Sequence, residues 1–305
     1  MSVPSGRRAR LGAGLVLALG LVASVTAAAE PASSPPAVTA EAVLLLDLAT
    51  GRVLYEKNAE GDRAPASLVK LMTLYVAYDE LRAGRVTLGE PVTIGPNTMR
   101  TARFRMGLVA GQVVPFEILL AGVAVASAND AATAVAEHLA GDEAAFVARM
   151  NAKSQELGMT GTHYANPHGL PDPTQWSNAR DIALLMGRLL HDHPGARTIL
   201  GGQTFIYRGR VYARHIPLFN DPGGVQALNT GFTREAGYNL AVSAWRAGQQ
   251  FVMIVLGART RAHSFLDGKK LLRFGFVETG LEVIEEPRHP PAPKRPVRAR
   301  RTTRG

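Results

Sequence analysis

The sequence of 305 residues contains no cysteine. Disulfide bonds and zinc sites built from thiolates are therefore excluded. The chain also lacks the G-x-S-x-G pattern that marks the nucleophile of many Ser–His–Asp hydrolases. No internal repeat is visible, so a solenoid is not expected. With 46% hydrophobic residues, the chain has enough apolar material for one core of ordinary size.

Acidic residues are absent from both ends of the chain, and this absence accounts for the formal net charge of +9. Residues 1–29 carry three arginines and residues 288–305 carry seven basic side chains, with no Asp or Glu in either segment. The part between them holds 24 basic and 25 acidic residues, a net charge of −1. The body of the protein is therefore not expected to bind nucleic acid.

The first 29 residues have the pattern of a secretory signal peptide. Three arginines within residues 7–10 precede an apolar run over residues 11–25, and small residues follow at 27–29. The run is shorter than the ~20 residues that a membrane-spanning helix needs, which disfavours an uncleaved anchor. The protein is thus predicted to be exported to the periplasm or another extracytoplasmic location, either free or peripheral to the membrane.

Composition divides the remaining chain into three segments. Residues 30–40 are predicted to be a disordered leader, residues 41–287 a folded domain, and residues 288–305 a disordered tail rich in proline and arginine. Contact of the tail with anionic lipid or a wall polymer would contribute about 1 kcal/mol per basic residue near the surface. A solvated tail without a partner is the alternative.

Hydrophobic periodicity in the domain predicts an α+β fold. The first hairpin and the last strands are expected to share one antiparallel sheet, flanked by helices and interrupted by an inserted, mostly helical lobe. The predicted strands are 43–48, 53–55, 238–245 and 250–258, and the predicted helices are 67–81, 116–125, 130–139, 143–157, 179–190 and 263–274.

A serine followed three residues later by a lysine opens the first long helical pattern. Ser67 has an ordinary explanation as a helix N-cap, but caps favour an acidic or amide group three residues on, where this chain has Lys70. Residues at this spacing share a helix face, so the amine can reach the hydroxyl. Dehydration lowers the pKa of a lysine, which can then act as general base towards serine. The pair is predicted to be a nucleophile and its base.

A second short motif, Ser127-Ala128-Asn129, lies between two helical patterns. One interpretation is a helix cap in which Asn129 or Asp130 bonds the first N–H groups. The other is a turn that projects a hydroxyl and a carboxamide into a cleft. There Ser127 would relay a proton to a leaving amine, and Asn129 would hold Lys70 and the substrate backbone. About one chance S-x-x-K match is expected in a chain of this length. Only further motifs such as this one can therefore indicate whether the Ser67–Lys70 pair is catalytic.

A third motif, Asn229-Thr230-Gly231-Phe232, precedes the closing strands. A Thr-Gly pair on an edge strand suits recognition of an extended peptide, because glycine lets the ligand backbone approach and pair with the strand.

In this order, S-x-x-K, S-x-N and T-G resemble the motif set of penicillin-binding proteins and serine β-lactamases. The residues around the motifs, at 66–73, 127–132, 166–172 and 231–240, are similar to the D-alanyl-D-alanine carboxypeptidase branch of the low-molecular-mass penicillin-binding proteins. The resemblance runs from about residue 42 to residue 276. It implies the serine β-lactamase-like transpeptidase fold.

The resemblance also implies a chemistry: removal of the terminal D-alanine from peptidoglycan stem peptides. Ser67 would form an acyl-enzyme, Lys70 would activate it, and Ser127 and Asn129 would complete the proton network. The N–H groups of Ser67 and Phe232 would form an oxyanion hole, and the third motif would bind substrate. β-Lactams would act as covalent inhibitors, and no metal or organic cofactor is implied.

Asn229 departs from the family pattern, which has a lysine at this position. Loss of that cation is expected to remove a charge-assisted contact of about 1.5–3 kcal/mol. We predict weakened hydrolysis, with Arg234 or Arg246 as candidate substitutes for the charge. The alternative is a catalytically silent paralogue that binds penicillin or the wall.

Two other interpretations of the chain are weaker. A class A β-lactamase would need a glutamate between the second and third motifs, and residues 161–181 contain none. A metal site at His191-x-His193 is disfavoured, because histidines at a helix end commonly interact with the helix dipole. Many relatives carry a further C-terminal domain and a membrane helix, and we expect neither in the residues after 287.

Overall fold

The computed structural model describes residues 34–220 and 223–281. The predicted signal peptide, the tail and the start of the leader lie outside these residues. Composition predicts a disordered leader through residue 40, but its last part is fixed. The N–H groups of Thr39 and Ala40 each donate to the Asp267 carboxylate at 2.9 Å, and Ala40 is fully buried. The ordered body therefore begins before the predicted boundary at residue 41.

An antiparallel sheet of five strands forms the centre of the domain. The strands are β1 (Ala42–Asp47), β2 (Arg52–Lys57), β3 (Pro91–Thr93), β4 (Val113–Pro115), β5 (Thr204–Tyr207), β6 (Arg210–Ala213), β7 (Val225–Thr233), β8 (Gly237–Arg246) and β9 (Gln249–Ala258). The order in the central sheet is β2-β1-β9-β8-β7, while β3 pairs with β4 and β5 with β6. The first hairpin and the closing strands share one sheet, as predicted, and β7 forms one of its edges.

Helices cover both faces of the sheet. The helices are α1 (Lys70–Arg82), α2 (Phe116–Ala124), α3 (Asn129–Ala140), α4 (Glu143–Leu157), α5 (Ala179–Asp192), α6 (Ala196–Gly201) and α7 (Arg261–Glu278). On one face α7 packs against β9 and β8, and on the other α5 packs against β9 and β1. In the inserted lobe α2 and α4 pack against α1 and α3, while α6 packs against β7 and α2. No helix within the described ranges is long and apolar enough to cross a bilayer.

Two hydrophobic cores lie on opposite sides of the sheet, and β9 contributes to both. Met253 and Val255 belong to the core beneath α7, whereas Val252 and Ile254 belong to the core shared with the helical lobe. Because successive side chains of a strand point to opposite faces, a strand covered on both sides is apolar at nearly every position. The double-sided burial explains the continuous apolar run that predicts this strand.

Candidate active site

Ser67 lies in a short 3-10 helix, Ala66–Val69, which leads into α1 at Lys70. The sequence pattern predicts an α-helix from Ser67, which is wrong because the α-helix begins only at Lys70. An N-cap role for Ser67 is also wrong, because no side chain caps the start of either helix. In a 3-10 helix residues three apart lie directly above one another, so the Ser67–Lys70 relation is kept. Ala66, just before the serine, has a φ of 49°, a strained conformation of the kind that clusters at active sites.

The Lys70 side chain is completely buried, and its amine has three hydrogen-bond partners. Nζ lies 3.1 Å from the Ser67 hydroxyl, 2.7 Å from Asn129 Oδ1 and 2.6 Å from the backbone oxygen of His168. The partner atoms of Asn129 and His168 are carbonyl oxygens, which can only accept hydrogen bonds. A neutral amine that donates to both of them directs its lone pair at the Ser67 hydroxyl.

Burial lowers the pKa of Lys70 from 10.5 to about 7, and the negative charge of Asp130 partly opposes this effect. Desolvation dominates because the ammonium loses its hydration in the interior. Near neutral pH a substantial fraction of the amine is therefore unprotonated. The geometry and the pKa together give Lys70 the properties of a general base for Ser67.

Asn129 holds Lys70 on one side and a loop of the helical lobe on the other. Its Nδ2 donates to the backbone oxygens of Ala102, at 2.9 Å, and Arg103, at 3.2 Å, which fixes the amide so that Oδ1 faces Lys70. Its backbone N–H donates to the oxygen of Phe104 at 2.8 Å. Asn129 is therefore not a helix cap, and the cleft interpretation of its side chain agrees with its position.

Asp130 fixes the next part of the same loop. Its fully buried carboxylate accepts N–H groups from Met106, Gly107 and Leu108 at 2.8–3.0 Å. It also accepts the N–H of Ala131 in the first turn of α3, so the capping interpretation holds for Asp130 only in part. No local sequence signal relates Asp130 to a loop more than twenty residues earlier, and the sequence does not predict this role.

Ser127 lies in the turn between α2 and α3, half-buried, with a φ of 50°. The neighbouring N–H of Ala128 donates to Gly122 at 2.9 Å. Among the described residues the Ser127 hydroxyl has no hydrogen-bond partner. The structure thus places Ser127 on the turn before Asn129 but does not bring its hydroxyl into hydrogen-bond contact with Lys70 or Ser67.

The third motif forms the opposite wall, on the edge strand β7. A Cβ added to Gly231 would lie 2.9 Å from the Ser67 nitrogen, so glycine is needed for this close approach. Asn229 is buried, and its Nδ2 donates to the Ser67 backbone oxygen at 3.2 Å while its Oδ1 accepts the Thr230 N–H. Thr230 is half-buried and Phe232 is 40% exposed. The structure brings the first and third motifs into direct contact.

The floor of the site is formed by His168 and Gly169. Gly169 has a φ of 84°, and an added Cβ would lie 2.0 Å from the Ala66 backbone oxygen. Burial, assisted by the nearby charge of Lys70, lowers the pKa of His168 to about 3, so its ring is neutral. This segment carries part of the family resemblance, but nothing in the sequence identifies the His168 carbonyl as a partner of the amine.

Arg214 is a further residue whose position the sequence does not predict. Its guanidinium donates to the backbone oxygens of Gly202, Ala124 and Leu228 at 2.8–3.1 Å, and to that of Leu200. Burial lowers its pKa to about 10, and it remains a cation at neutral pH. Arg214 thereby connects the end of α2, the end of α6 and the residue before Asn229.

Ser67 opens into a cavity of about 290 Å³. Besides Ser67 and Asn129, the walls come from residues 102–104, 168–171 and 232–234. A larger, mostly apolar cavity of about 570 Å³ lies between the sheet and α5 and contains none of the motif residues. The smaller cavity, which holds the Ser67 hydroxyl and the Asn129 amide, is therefore the candidate active site.

The two arginines suggested as substitutes for the missing lysine have different locations. Arg234 lines the cavity beside Ser67. Arg246 ends β8, and its guanidinium carbon lies 4.7 Å from the centre of the Phe276 ring on α7. The prediction that Arg246 replaces the charge of the missing lysine is therefore wrong, while Arg234 remains a candidate.

Comparison with known proteins agrees with this architecture. Residues 28–260 match the sequence profile described as D-alanyl-D-alanine carboxypeptidase. The D-alanyl-D-alanine carboxypeptidase DacC of Escherichia coli (strain K12) is 38% identical over 263 residues, which cover 84% of this chain and 66% of DacC. The chain thus spans about two thirds of the length of that relative.

Solved structures give the same result. Penicillin-binding protein 5 from Haemophilus influenzae superposes with a TM-score of 0.77 at 34% identity, over 80% of this chain and 72% of that one. Penicillin-binding protein D2 from Listeria monocytogenes, in its ampicillin-bound form, superposes with a TM-score of 0.73 at 28% identity, over 80% of this chain and 100% of that one. The predicted fold is confirmed, and this chain belongs to the D-alanyl-D-alanine carboxypeptidase family.

Proposed function

We propose that this protein is a serine-type D-Ala-D-Ala carboxypeptidase that removes the terminal D-alanine from peptidoglycan stem peptides. The observation that carries the proposal is the buried Lys70 amine, with a pKa of about 7, in hydrogen-bond contact with the hydroxyl of Ser67. The names of the relatives support the substrate class, and the edge strand beside Ser67 suits an extended peptide.

The reaction follows from this geometry. The neutral Lys70 amine takes the Ser67 proton as Oγ attacks the carbonyl carbon of the penultimate D-alanine. The backbone N–H groups of Ser67 and Phe232 stabilise the resulting oxyanion, and the close contact of Gly231 with Ser67 supports this pairing. As the C–N bond of the tetrahedral intermediate breaks, the proton held by Lys70 passes through the Ser127 hydroxyl to the departing D-alanine amine. Water then hydrolyses the acyl ester on Ser67. A β-lactam would acylate Ser67 by the same first step.

Asn229 sets the expected strength of this activity. Its uncharged amide forms hydrogen bonds with the backbone of Ser67 and Thr230. Asn229 therefore takes the position of the family lysine without supplying its positive charge. Weakened turnover is therefore expected, while the intact Ser67–Lys70–Asn129 arrangement disfavours a silent paralogue. The signal-peptide pattern of residues 1–29 supports an extracytoplasmic location, where the proposed substrate is found.

Release of D-alanine from a peptide ending in D-Ala-D-Ala tests the proposal. The wild-type protein should release D-alanine, Ser67→Ala should not, and Ser34→Ala, a change at an exposed serine, should behave as wild type. Intact-protein mass spectrometry with benzylpenicillin should detect one adduct on wild type and none on Ser67→Ala. Absence of both turnover and an adduct in the wild-type protein would contradict the proposal.

A further inference from the structure

The hairpin of β5 and β6 has one uncovered face that carries no charge. Thr204 pairs with Ala213 and Ile206 with Val211, and residues directly opposite in an antiparallel pair lie on the same face. All four are exposed, Ile206 to 67% and Val211 to 60%. Single exposed apolar side chains are common on protein surfaces, but here two large ones lie side by side. We call these four residues the hairpin face.

The other face of the hairpin is fixed to the body of the protein. The rings of Phe205 and Tyr212 stack there with their centres 4.7 Å apart. The Tyr212 hydroxyl donates to the Met106 backbone oxygen at 3.0 Å. The Tyr207 hydroxyl accepts a hydrogen bond from Gln112 Nε2 at 2.6 Å. The hairpin is thus held with its apolar face outward.

The segment that contains the hairpin carries only positive charge. Residues 193–220 include four arginines and no Asp or Glu. Arg208 at the turn and Arg210 on β6 are exposed, and neither forms an ion pair within the described residues. Their guanidinium carbons lie 5.9 Å from the Tyr207 ring centre and 5.0 Å from the Tyr212 ring centre. Because both rings belong to the covered face, the two cations lie about one hairpin thickness away from the hairpin face.

The size and the charge of this surface favour a lipid bilayer over a folded protein as its partner. A stable interface between two proteins needs about 800 Å² on each partner, far more than four side chains on two short strands provide. A bilayer requires no matching shape. Apolar side chains enter the boundary between headgroups and acyl chains, while nearby cations attract anionic headgroups. Arginine side chains are long enough to reach the headgroup phosphates from the other face of a hairpin.

We propose that the hairpin face, together with Arg208 and Arg210, binds the surface of an anionic lipid bilayer. Ile206 and Val211 enter the boundary of the acyl chains, and the two guanidinium groups contact lipid phosphates. The covered face of the hairpin is bonded to the loop after residue 101, which lines the cleft. Contact with lipid therefore holds the cleft close to the bilayer. The inference does not depend on the proposed function.

A fluorescent dye on the hairpin tests the contact directly. Because the chain has no cysteine, Ile206→Cys and the control Val53→Cys each accept a single nitrobenzoxadiazole dye, which brightens in an apolar environment. Val53 is also an exposed aliphatic residue, and it lies on β2, at the edge of the central sheet opposite β7.

With vesicles of phosphatidylglycerol and phosphatidylcholine in equal parts, emission from the dye at residue 206 should shift to the blue and rise severalfold. The dye at residue 53 should not respond, and vesicles of phosphatidylcholine alone should change neither dye. The basic residues at 288–305 can also attract anionic lipid, but they do not bury a dye on the hairpin. No response at residue 206, or an equal response at both positions, would overturn the proposal.

Co-sedimentation with the same anionic vesicles separates the apolar contribution from the charged one. The variants Ile206→Ser/Val211→Ser and Arg208→Gln/Arg210→Gln should each bind about tenfold more weakly than wild type, whereas Val53→Ser should bind as wild type does. Because the substituted side chains are exposed, the midpoint of thermal unfolding should be unchanged in every variant. A loss with the arginine pair but not with the apolar pair would indicate a soluble or wall-bound polyanion as the partner and would overturn the bilayer proposal.

Discussion

The two walls of the cleft follow the family pattern to different degrees. The wall built from α1, α3 and the loop after residue 101 keeps the Lys70 and Asn129 side chains in a buried network in which each polar atom has a partner. The β7 wall has Asn229 where the family has a lysine, and Arg234, just after this strand, lines the cavity. Proton transfer to and from Ser67 depends on the first wall, and the departure from the family pattern lies on the second.

Burial explains why the two walls differ in their tolerance of change. A buried polar group left without a partner costs on the order of 1–3 kcal/mol. Substituting any residue of the Lys70 network is expected to incur this cost. Relocating an exposed arginine to another surface position costs little free energy, because water solvates its charge at either position. Substitutions in the Lys70 network are therefore expected to cost more than substitutions of an exposed arginine.

The largest expected effect comes from breaking the first wall. Lys70→Ala should lower the rate of acylation by benzylpenicillin by about 10²–10⁴-fold, the range of a lost general base. Lys57→Ala is the matched control, because Lys57 bonds only the Ala40 backbone oxygen, away from the cavity. Stopped-flow or quenched mass-spectrometric measurement of both variants checks this. A Lys70→Ala protein that acylates as fast as Lys57→Ala would remove the amine from the mechanism.

A smaller effect should come from restoring the cation on the second wall. Asn229→Lys should raise the rate of D-alanine release by about tenfold, because one charge-assisted contact is regained. Gln226→Lys adds the same charge at an exposed position of the same strand and should change nothing. Equal rates for both lysine variants would show that charge on this wall does not limit the reaction.

The smallest expected effect is on stability, at the contact between the floor and the first wall. Gly169→Ala places a methyl group 2.0 Å from the Ala66 oxygen, whereas Gly141→Ala, at a similar φ of 87°, meets nothing within 4 Å. Both variants carry a left-handed strain of about 1–2 kcal/mol, and only Gly169→Ala adds a steric clash of about 1–3 kcal/mol. Thermal unfolding should show the lower midpoint for Gly169→Ala. Equal midpoints would mean that the floor can move away from Ser67.

The sequence predicts best those features that depend on local spacing. Lys70 follows Ser67 by three residues, so their contact requires only a helical turn, and β9 is recognisable because both of its faces are covered. The sequence does not predict Asp130 as the anchor of residues 106–108, the His168 carbonyl as an acceptor, or residues 102–104 as a wall of the cavity. Each of these depends on a contact between distant segments.

The leader shows the same limit in a simpler form. Its composition of proline, serine and alanine predicts disorder through residue 40, yet Thr39 and Ala40 are bound by Asp267 more than two hundred residues later. Composition reports what a segment can bury by itself. It does not indicate that a carboxylate on a distant helix will bind the segment.

The pH dependence of acylation by benzylpenicillin tests the central claim, that a buried Lys70 with a pKa of about 7 activates Ser67. Below pH 7 the amine is protonated and cannot accept a proton, so the rate should fall about tenfold per pH unit and should level off above neutrality. The His168 ring, with a pKa of about 3, does not titrate in this range. An inflection near pH 7 that is absent in Lys70→Ala is the predicted result. A rate that keeps rising towards pH 10.5, the ordinary pKa of lysine, would contradict it.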